Sequence, residues 1–321
     1  MMDLVTGGTG FIGSTLAKTL LDQGKAIATF DIKPNSPVLE PYGKRWIPFQ
    51  GNLGNMGEVF TAIQACKPKT IFHLGGMLSI PSEQNPQASF STNVVGIYNV
   101  LEGARLFEVE QVLFASTNGT YSHDLEGLTV IDDRTLQRPF TLYGCGKLFG
   151  ELLGRYYSRR YGIDFRSVRL PAIVGPGAKT KNVSIYNAWA IEKPFLGEPY
   201  EIFVTPETAA PILYFKDAAR AFLDLSRAPL DEIKTINYNL AGIHPIPTAM
   251  DLKNAVLRFL PHAKISFNPD DLAMAFQKMH QGVRWDETPA VKEWNWKVHF
   301  SLERMVEDFI NELKEHFSWY L

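Results

Sequence analysis

Short runs that are apolar almost throughout alternate with longer stretches in which apolar positions recur every three to four residues. The first kind reads as buried strands, at Leu4–Val5, Ala26–Phe30, Arg45–Phe49, Thr70–Leu74, Gln111–Ala115 and Phe165–Leu170. The second kind predicts helices over Ser14–Leu21, Met56–Ala65, a long stretch from Asn85-Pro86 to about Phe107, and Thr141–Arg160. Gly24 suits a helix stop and Pro86 a first turn. Strands apolar on both faces that alternate with helices call for a parallel sheet covered on both sides, an α/β doubly wound arrangement.

Beyond Pro171 the pattern loosens. Strand-like pieces at Tyr200–Val204, Thr235–Leu240 and Lys264–Phe267 are separated by helices around Ser184–Ile191, at Phe215–Ser226 and at Thr248–Phe259. A last helix over Leu302–His316 carries one apolar stripe of Leu302, Met305, Val306, Phe309, Ile310 and Leu313. Residues 1–170 are therefore expected to form a cofactor-binding domain. Residues 171–321 are expected to form a smaller α/β substrate lobe interleaved with its sheet.

Composition narrows the class of function. The 321 residues carry 32 basic and 34 acidic side chains with no Lys/Arg block, which argues against a nucleic-acid footprint. Two cysteines, Cys66 and Cys145, are too few for a disulfide framework or a zinc site and suit a reducing compartment. No apolar run approaches the ~20 residues that span a bilayer. The apolar start lacks a basic stretch and runs straight into a glycine turn, so no signal peptide is expected. A soluble cytoplasmic protein with a small-molecule substrate, and no nucleic-acid or membrane partner, is the expectation.

Candidate chemistry begins at Leu4-Val5-Thr6-Gly7-Gly8-Thr9-Gly10-Phe11-Ile12-Gly13. Glycines at 8, 10 and 13, with an overlapping set at 7, 10 and 13, stand between a strand and a helix. In such a turn one glycine permits the bend, one lets the backbone approach a pyrophosphate, and one allows close helix packing. The phosphates would meet free N–H groups at the helix start around Phe11 and Ile12. A tight turn with no ligand reads the same from the glycines alone. Asp31, at the end of the second strand, adds a carboxylate placed to bind an adenosine ribose and to repel a 2′-phosphate, which favours NAD over NADP. Lys33 weakens that preference.

A second constellation lies at Tyr143-Gly144-Cys145-Gly146-Lys147, the one Y-x-x-x-K among twelve tyrosines. Residues four apart share a helix face, so phenol and ammonium can act on one site. A lysine beside a tyrosine, together with the positive ring of an oxidised nicotinamide, is expected to lower the phenol's pKa towards working pH. Ser116-Thr117 end the preceding strand at the sheet's carboxyl edge, where open α/β folds bind ligands. No metal site is expected, since His73 has no suitably spaced partners. Cys145 reads as a small residue on a crowded helix.

The glycine run, Asp31, His73-Leu74-Gly75-Gly76, Asn93-Val94-Val95-Gly96, Ser116-Thr117 through Tyr121, and Tyr143 to Lys147 together resemble the extended short-chain dehydrogenase/reductase superfamily. The resemblance implies a Rossmann-type sheet and NAD as cofactor. Thr117 would bond the reacting oxygen, Tyr143 would be the acid/base, and Lys147 would hold the nicotinamide ribose. It also places Gly7, Gly10, Gly13, Ile32, Asn52, Leu53, Leu74 and Pro171 along the cofactor, with Asn52 standing where relatives often carry an aspartate.

The C-terminal half, from Tyr200-Glu201-Ile202-Phe203-Val204 through Pro211-Ile212-Leu213-Tyr214 to Trp294-Asn295-Trp296, is similar to short-chain-type L-threonine 3-dehydrogenases. That likeness implies a small 3-hydroxy acid as substrate, with Ser79, Thr117 and Tyr143 as contacts. The loop after Pro171 is shorter than in that family, with Thr180 and Ser184 as stand-ins, and Gln281-Gly282 falls where a Trp-Pro pair is expected. A nucleotide-sugar 4-epimerase or dehydratase with tightly bound NAD is the alternative, and a non-catalytic NAD sensor a third reading. Gly146, Gly150 and Gly154 form a ladder on the Tyr143 helix, and Ser89, Gly96 and Gly103 a second small-residue stripe. By the resemblance, helices 86–107 and 141–160 form a homodimer interface.

Overall fold

The structure is a computed structural model that describes residues 2–121, 127–180, 182–278 and 282–320. Seven strands form one sheet: β1 (Asp3–Thr6), β2 (Ile27–Asp31), β3 (Trp46–Gln50), β4 (Thr70–His73), β5 (Gln111–Thr117), β6 (Asp164–Leu170) and β7 (Asn237–Asn239). Their order is β7-β6-β5-β4-β1-β2-β3, and every pair is parallel. The order reverses between β1 and β4. In a doubly wound sheet the carboxyl ends of the strands at such a reversal are the place that receives the ligand.

The apolar runs fold as strands because helices cover both faces. On one face the helix Phe11–Asp22 buries Leu16, Leu20 and Leu21 against Val5 and Phe72, beside Phe222 of the helix Phe215–Arg227. On the other, Ile63, Ile97, Val100 and Tyr157 pack over Leu4, Ile71, Phe114 and Phe165. Residues beyond 171 build a second apolar cluster, in which all six stripe positions of the helix Leu302–Glu315 are buried. Parallel two-stranded ladders serve this part: Ala172–Val174 with Ile212–Tyr214, and Tyr200–Ile202 with Ile265–Phe267. The strand expected over 235–240 shortens to Asn237–Asn239 and pairs with β6, so the chain returns from the lobe to complete the main sheet.

The stretch 86–107 is helical throughout but not uniform. It runs as α-helix over Pro86–Ser89, widens to a π-type turn at Phe90–Val95, and resumes as α-helix at Gly96–Leu106. Within the widened turn the Asn93 amide accepts from Met77 N at 2.8 Å and donates to Met77 O at 2.9 Å. Those tertiary bonds favour the departure from α geometry. The Tyr143 helix spans Leu142–Tyr161, begins at Thr141, whose hydroxyl accepts from Gly144 N at 3.1 Å, and ends at Gly162 in the left-handed region. A Cβ at Gly150 would lie 2.6 Å from the Phe114 ring, and one at Gly154 would lie 2.2 Å from Phe165. The glycine ladder therefore lets this helix lie directly on β5 and β6. The second stripe also faces inward, with Gly96 against Leu53 and Gly103 against Ile63.

Candidate active site at the carboxyl edge of the sheet

The glycine turn leaves β1 through Gly7, whose φ of +66° is in the left-handed region and whose N–H donates to Phe30 O at 2.8 Å. A Cβ there would strike the Gly75 backbone at 2.7 Å, and one at Gly13 would come within 2.0 Å of Gly7 O. The turn and the Leu74–Gly76 segment are thus packed backbone against backbone. Gly10 caps the first helix with no side-chain hydrogen bond, and no acidic residue occupies the first turn. The N–H groups of Phe11, Ile12 and Gly13 open the helix without a side chain to satisfy them, an arrangement suited to an anion.

Asp31 ends β2 with its carboxylate partly exposed and accepting from Lys33 N at 3.2 Å. Ile32 beside it is 64% exposed, an apolar surface at the rim. Asn52 accepts from Gly54 N at 2.9 Å through its side-chain oxygen, and its NH₂ has no hydrogen-bond partner among the described residues. Leu53 is buried, and its carbonyl is held by Asn99 at 2.8 Å. His73, at the end of β4, hydrogen-bonds Thr6 at 2.6 Å and stacks on Phe114. Burial, with the Lys147 charge adding to it, pushes its pKa down to about 3, so the ring is neutral. No group of three or more metal-ligating side chains occurs among the described residues.

Thr117 closes β5, and its Oγ1 accepts from Gly119 N at 3.1 Å, which leaves its own proton to donate. Tyr143 sits in the first turn of the Leu142–Tyr161 helix and bonds to the Thr117 side chain. Burial pushes the phenol up to about 12, with the Thr117 bond opposing. The lowering expected from Lys147 together with an oxidised nicotinamide concerns the cofactor-bound site; in the protein alone, desolvation sets the direction.

Lys147 is 4% exposed, and burial lowers its pKa to about 8. Its ammonium lies 4.8 Å from the Phe114 ring centroid and 5.7 Å from that of Tyr143, and it has no hydrogen-bond partner among the described residues. An unpaired buried donor, a cradle that any Cβ would fill and an uncapped helix start together fit a dinucleotide lying from Asp31 across the glycine turn to Lys147.

Ser79 opens a short helix, Ser79–Gln84, and is partly buried. That helix is tied to the Tyr143 helix where Glu83 accepts from Leu142 N at 2.8 Å. Pro171 is buried directly after β6. Thr180 is exposed, and Ser184 is half-buried just before the helix Tyr186–Phe195. Gln281 lies outside the described residues. Cys145 is exposed, and the close contacts of its crowded helix fall to the glycines. Sequence reasoning passed over Glu83 and a buried pair, Glu151 with Arg169, and gave Asn93 no role of its own. The available signal was a glutamate in register with Tyr143 and Lys147 on a glycine-lined face.

A model of the NAD dependent epimerase/dehydratase family matches residues 4–241. The mitochondrial L-threonine 3-dehydrogenase of Sus scrofa is 30% identical over 319 residues, 96% of this chain and 81% of that protein. The Bos taurus protein of the same name is 30% identical over 250 residues, 75% of this chain but 64% of its own length. Among solved structures, the holo form of a GalE-like L-threonine dehydrogenase from Cupriavidus necator superposes with a TM-score of 0.86 at 28% identity, covering 98% of this chain and all of that one. No helix among the described residues is long and apolar enough to cross a membrane.

Proposed function

The chain belongs to the NAD dependent epimerase/dehydratase family, and from that premise we propose that it is an L-threonine 3-dehydrogenase, oxidising the secondary alcohol of a small 3-hydroxy amino acid. The observation that carries the reading is the contact of Tyr143 with Thr117, one helical turn from Lys147, which has no hydrogen-bond partner among the described residues and whose ammonium lies beside Gly76. The relatives named above support the choice of substrate. NAD, when bound, supplies an oxidised ring able to accept a hydride from the alcohol carbon.

The protein's part is to bind, orient and move one proton. Gly7, Gly10 and the N–H groups of Phe11, Ile12 and Gly13 hold the pyrophosphate, while Asp31 and Ile32 receive the adenosine end. Asn52, Leu53 and Leu74 line its path, and Lys147 donates to the nicotinamide ribose beside Pro171. Thr117 donates its proton to the substrate hydroxyl oxygen. Tyr143, once ionised, takes the hydroxyl proton as the carbonyl forms. Ser79, Thr180 and Ser184 are the proposed contacts for the substrate's polar ends. On this reading residues 1–170 bind the cofactor and 171–321 shape the substrate side.

The test is to mix the purified protein with NAD and L-threonine and follow NADH formation, comparing wild type with Tyr143→Phe. General acid–base catalysis contributes ~10²–10⁴-fold, so the variant is expected to lose turnover by that factor while its NAD affinity stays within twofold. Turnover equal to wild type would remove Tyr143 from the mechanism. Tightly retained NAD with no net NADH from L-threonine, but interconversion of nucleotide sugars, would replace the dehydrogenase reading with the epimerase one.

We also propose a homodimer through helices 86–107 and 141–160. The outer face of the Leu142–Tyr161 helix exposes Phe149, Leu152 and Tyr156, a stripe at helical spacing that faces solvent where a lone helix would carry charge. Phe90 and Tyr98 of the neighbouring helical stretch are also exposed.

A further inference from the structure

Buried polar groups that proton transfer leaves unused converge on one carboxylate. Glu151 follows Lys147 by one helical turn and Tyr143 by two, and its side chain is 2% exposed. Arg169 of β6 donates to it through Nε at 2.9 Å and Nη2 at 2.7 Å. Ser116 of β5 donates its hydroxyl to the same carboxylate at 2.5 Å, and Gln137 adds a bond at 3.1 Å. Arg169 also donates to the Tyr121 hydroxyl at 2.6 Å and to Asn239 of β7 at 3.1 Å. One ion pair therefore ties the Tyr143 helix to three strands.

Its worth to stability is not self-evident. Removing both charges from water costs about as much as their pairing returns, and an apolar pair of equal volume often does as well. What an apolar pair lacks is direction. Hydrogen bonds of fixed geometry set both the rotation of the helix and its advance along β5. Ser116 immediately precedes Thr117, so the carboxylate that holds the helix also holds the strand end opposite Tyr143.

We propose that Glu151 is a positioning residue for the reaction: clamped by Arg169, it fixes the helix carrying Tyr143 and Lys147 against the strand end carrying Thr117. The inference rests on the dehydrogenase reading only for its activity readout. A misplacement of about 1 Å costs such a reaction roughly 10²-fold.

Two variants test it. Glu151→Asp keeps the charge but draws the carboxylate back by one carbon. Glu151→Met combined with Arg169→Met removes both charges at similar volume. For each, kcat and KM with L-threonine and NAD are measured per folded protomer, counted by NADH binding, and a crystal structure gives the distance from the Tyr143 hydroxyl to Thr117 Oγ1. The expected result is a kcat at least tenfold lower in both, an NAD KM within twofold of wild type, a displaced pH profile of kcat, and a lengthened Tyr143–Thr117 distance.

A folded double variant with wild-type kcat, or Tyr143 and Thr117 unmoved in the Glu151→Asp crystal, would overturn the proposal. Should the double variant fail to fold, Glu151→Asp decides alone. Should wild type leave L-threonine untouched, the substrate assignment falls, and the crystallographic distance still decides the role of Glu151.

Discussion

Lys147 is the residue at which stability and function pull apart. It is nearly enclosed, it has no hydrogen-bond partner among the described residues, and burial lowers its pKa from 10.5 to about 8. Because the folded protein prefers the neutral amine, the unfolded chain binds more protons between about pH 8 and 10.5. Stability therefore rises with pH across that window, and the full cost of the buried charge is felt below pH 8. At 1.36 kcal/mol per pKa unit, Lys147→Met is expected to stabilise the cofactor-free protein by up to about 3 kcal/mol at pH 7. The gain should shrink towards zero near pH 10.5, and turnover should be lost. Urea melts at the two pH values check this; equal stability of variant and wild type at pH 7 would mean that the ammonium is well compensated. The spacing of Tyr143 and Lys147 made their adjacency legible in the sequence. The direction of the Tyr143 shift was not legible, because spacing gives neighbours and not the water they lose.

At the scale of the element, the Leu142–Tyr161 helix shows how packing overrides propensity. Alanine is favoured over glycine in a helix by up to ~1 kcal/mol, yet a Cβ at position 154 would sit 2.2 Å from the Phe165 ring. Overpacking of this kind costs ~1–3 kcal/mol, so Gly154→Ala is expected to lower the thermal midpoint despite its better propensity. A raised midpoint would show that helix and β6 can separate at little cost. Long periodic helices and the strands of the first half were legible because each buries a repeating face. The ladder Ala172–Val174 with Ile212–Tyr214 was missed, since strands of three residues carry no period. The widening at Phe90–Val95 was also hidden: its cause is the bonding of Asn93 to Met77, which lies in another segment.

Across the whole molecule, alternation of strand and helix was enough to give the doubly wound sheet, and the glycine run with the Tyr143–Lys147 spacing gave the candidate site at its carboxyl edge. The edge strand was less legible, because Asn237-Tyr238-Asn239 is short and largely polar, and its partners are buried side chains such as Ser167, which bonds Asn237 at 2.6 Å. Assembly is the remaining question at this scale. Leu152, 59% exposed on the outer stripe, is the residue to change. If the proposed dimer forms, wild type should sediment as a dimer at micromolar concentration and Leu152→Glu as a monomer with an unchanged far-ultraviolet spectrum. A monomeric wild type would rule the interface out.

The return of the chain to β7 has a consequence for how the protein is made. Most of the sheet, the glycine turn and the Tyr143 helix all precede residue 170, so they leave the ribosome well before Asn237–Asn239. Until that segment arrives, β6 is an open edge of the kind that recruits other chains. Arg169 meanwhile lacks the Asn239 oxygen that completes its bonds. The bond from Arg169 to Asn239, the last of those that hold the clamp beneath the reactive groups, therefore forms only when nearly half of residues 171–321 have been translated.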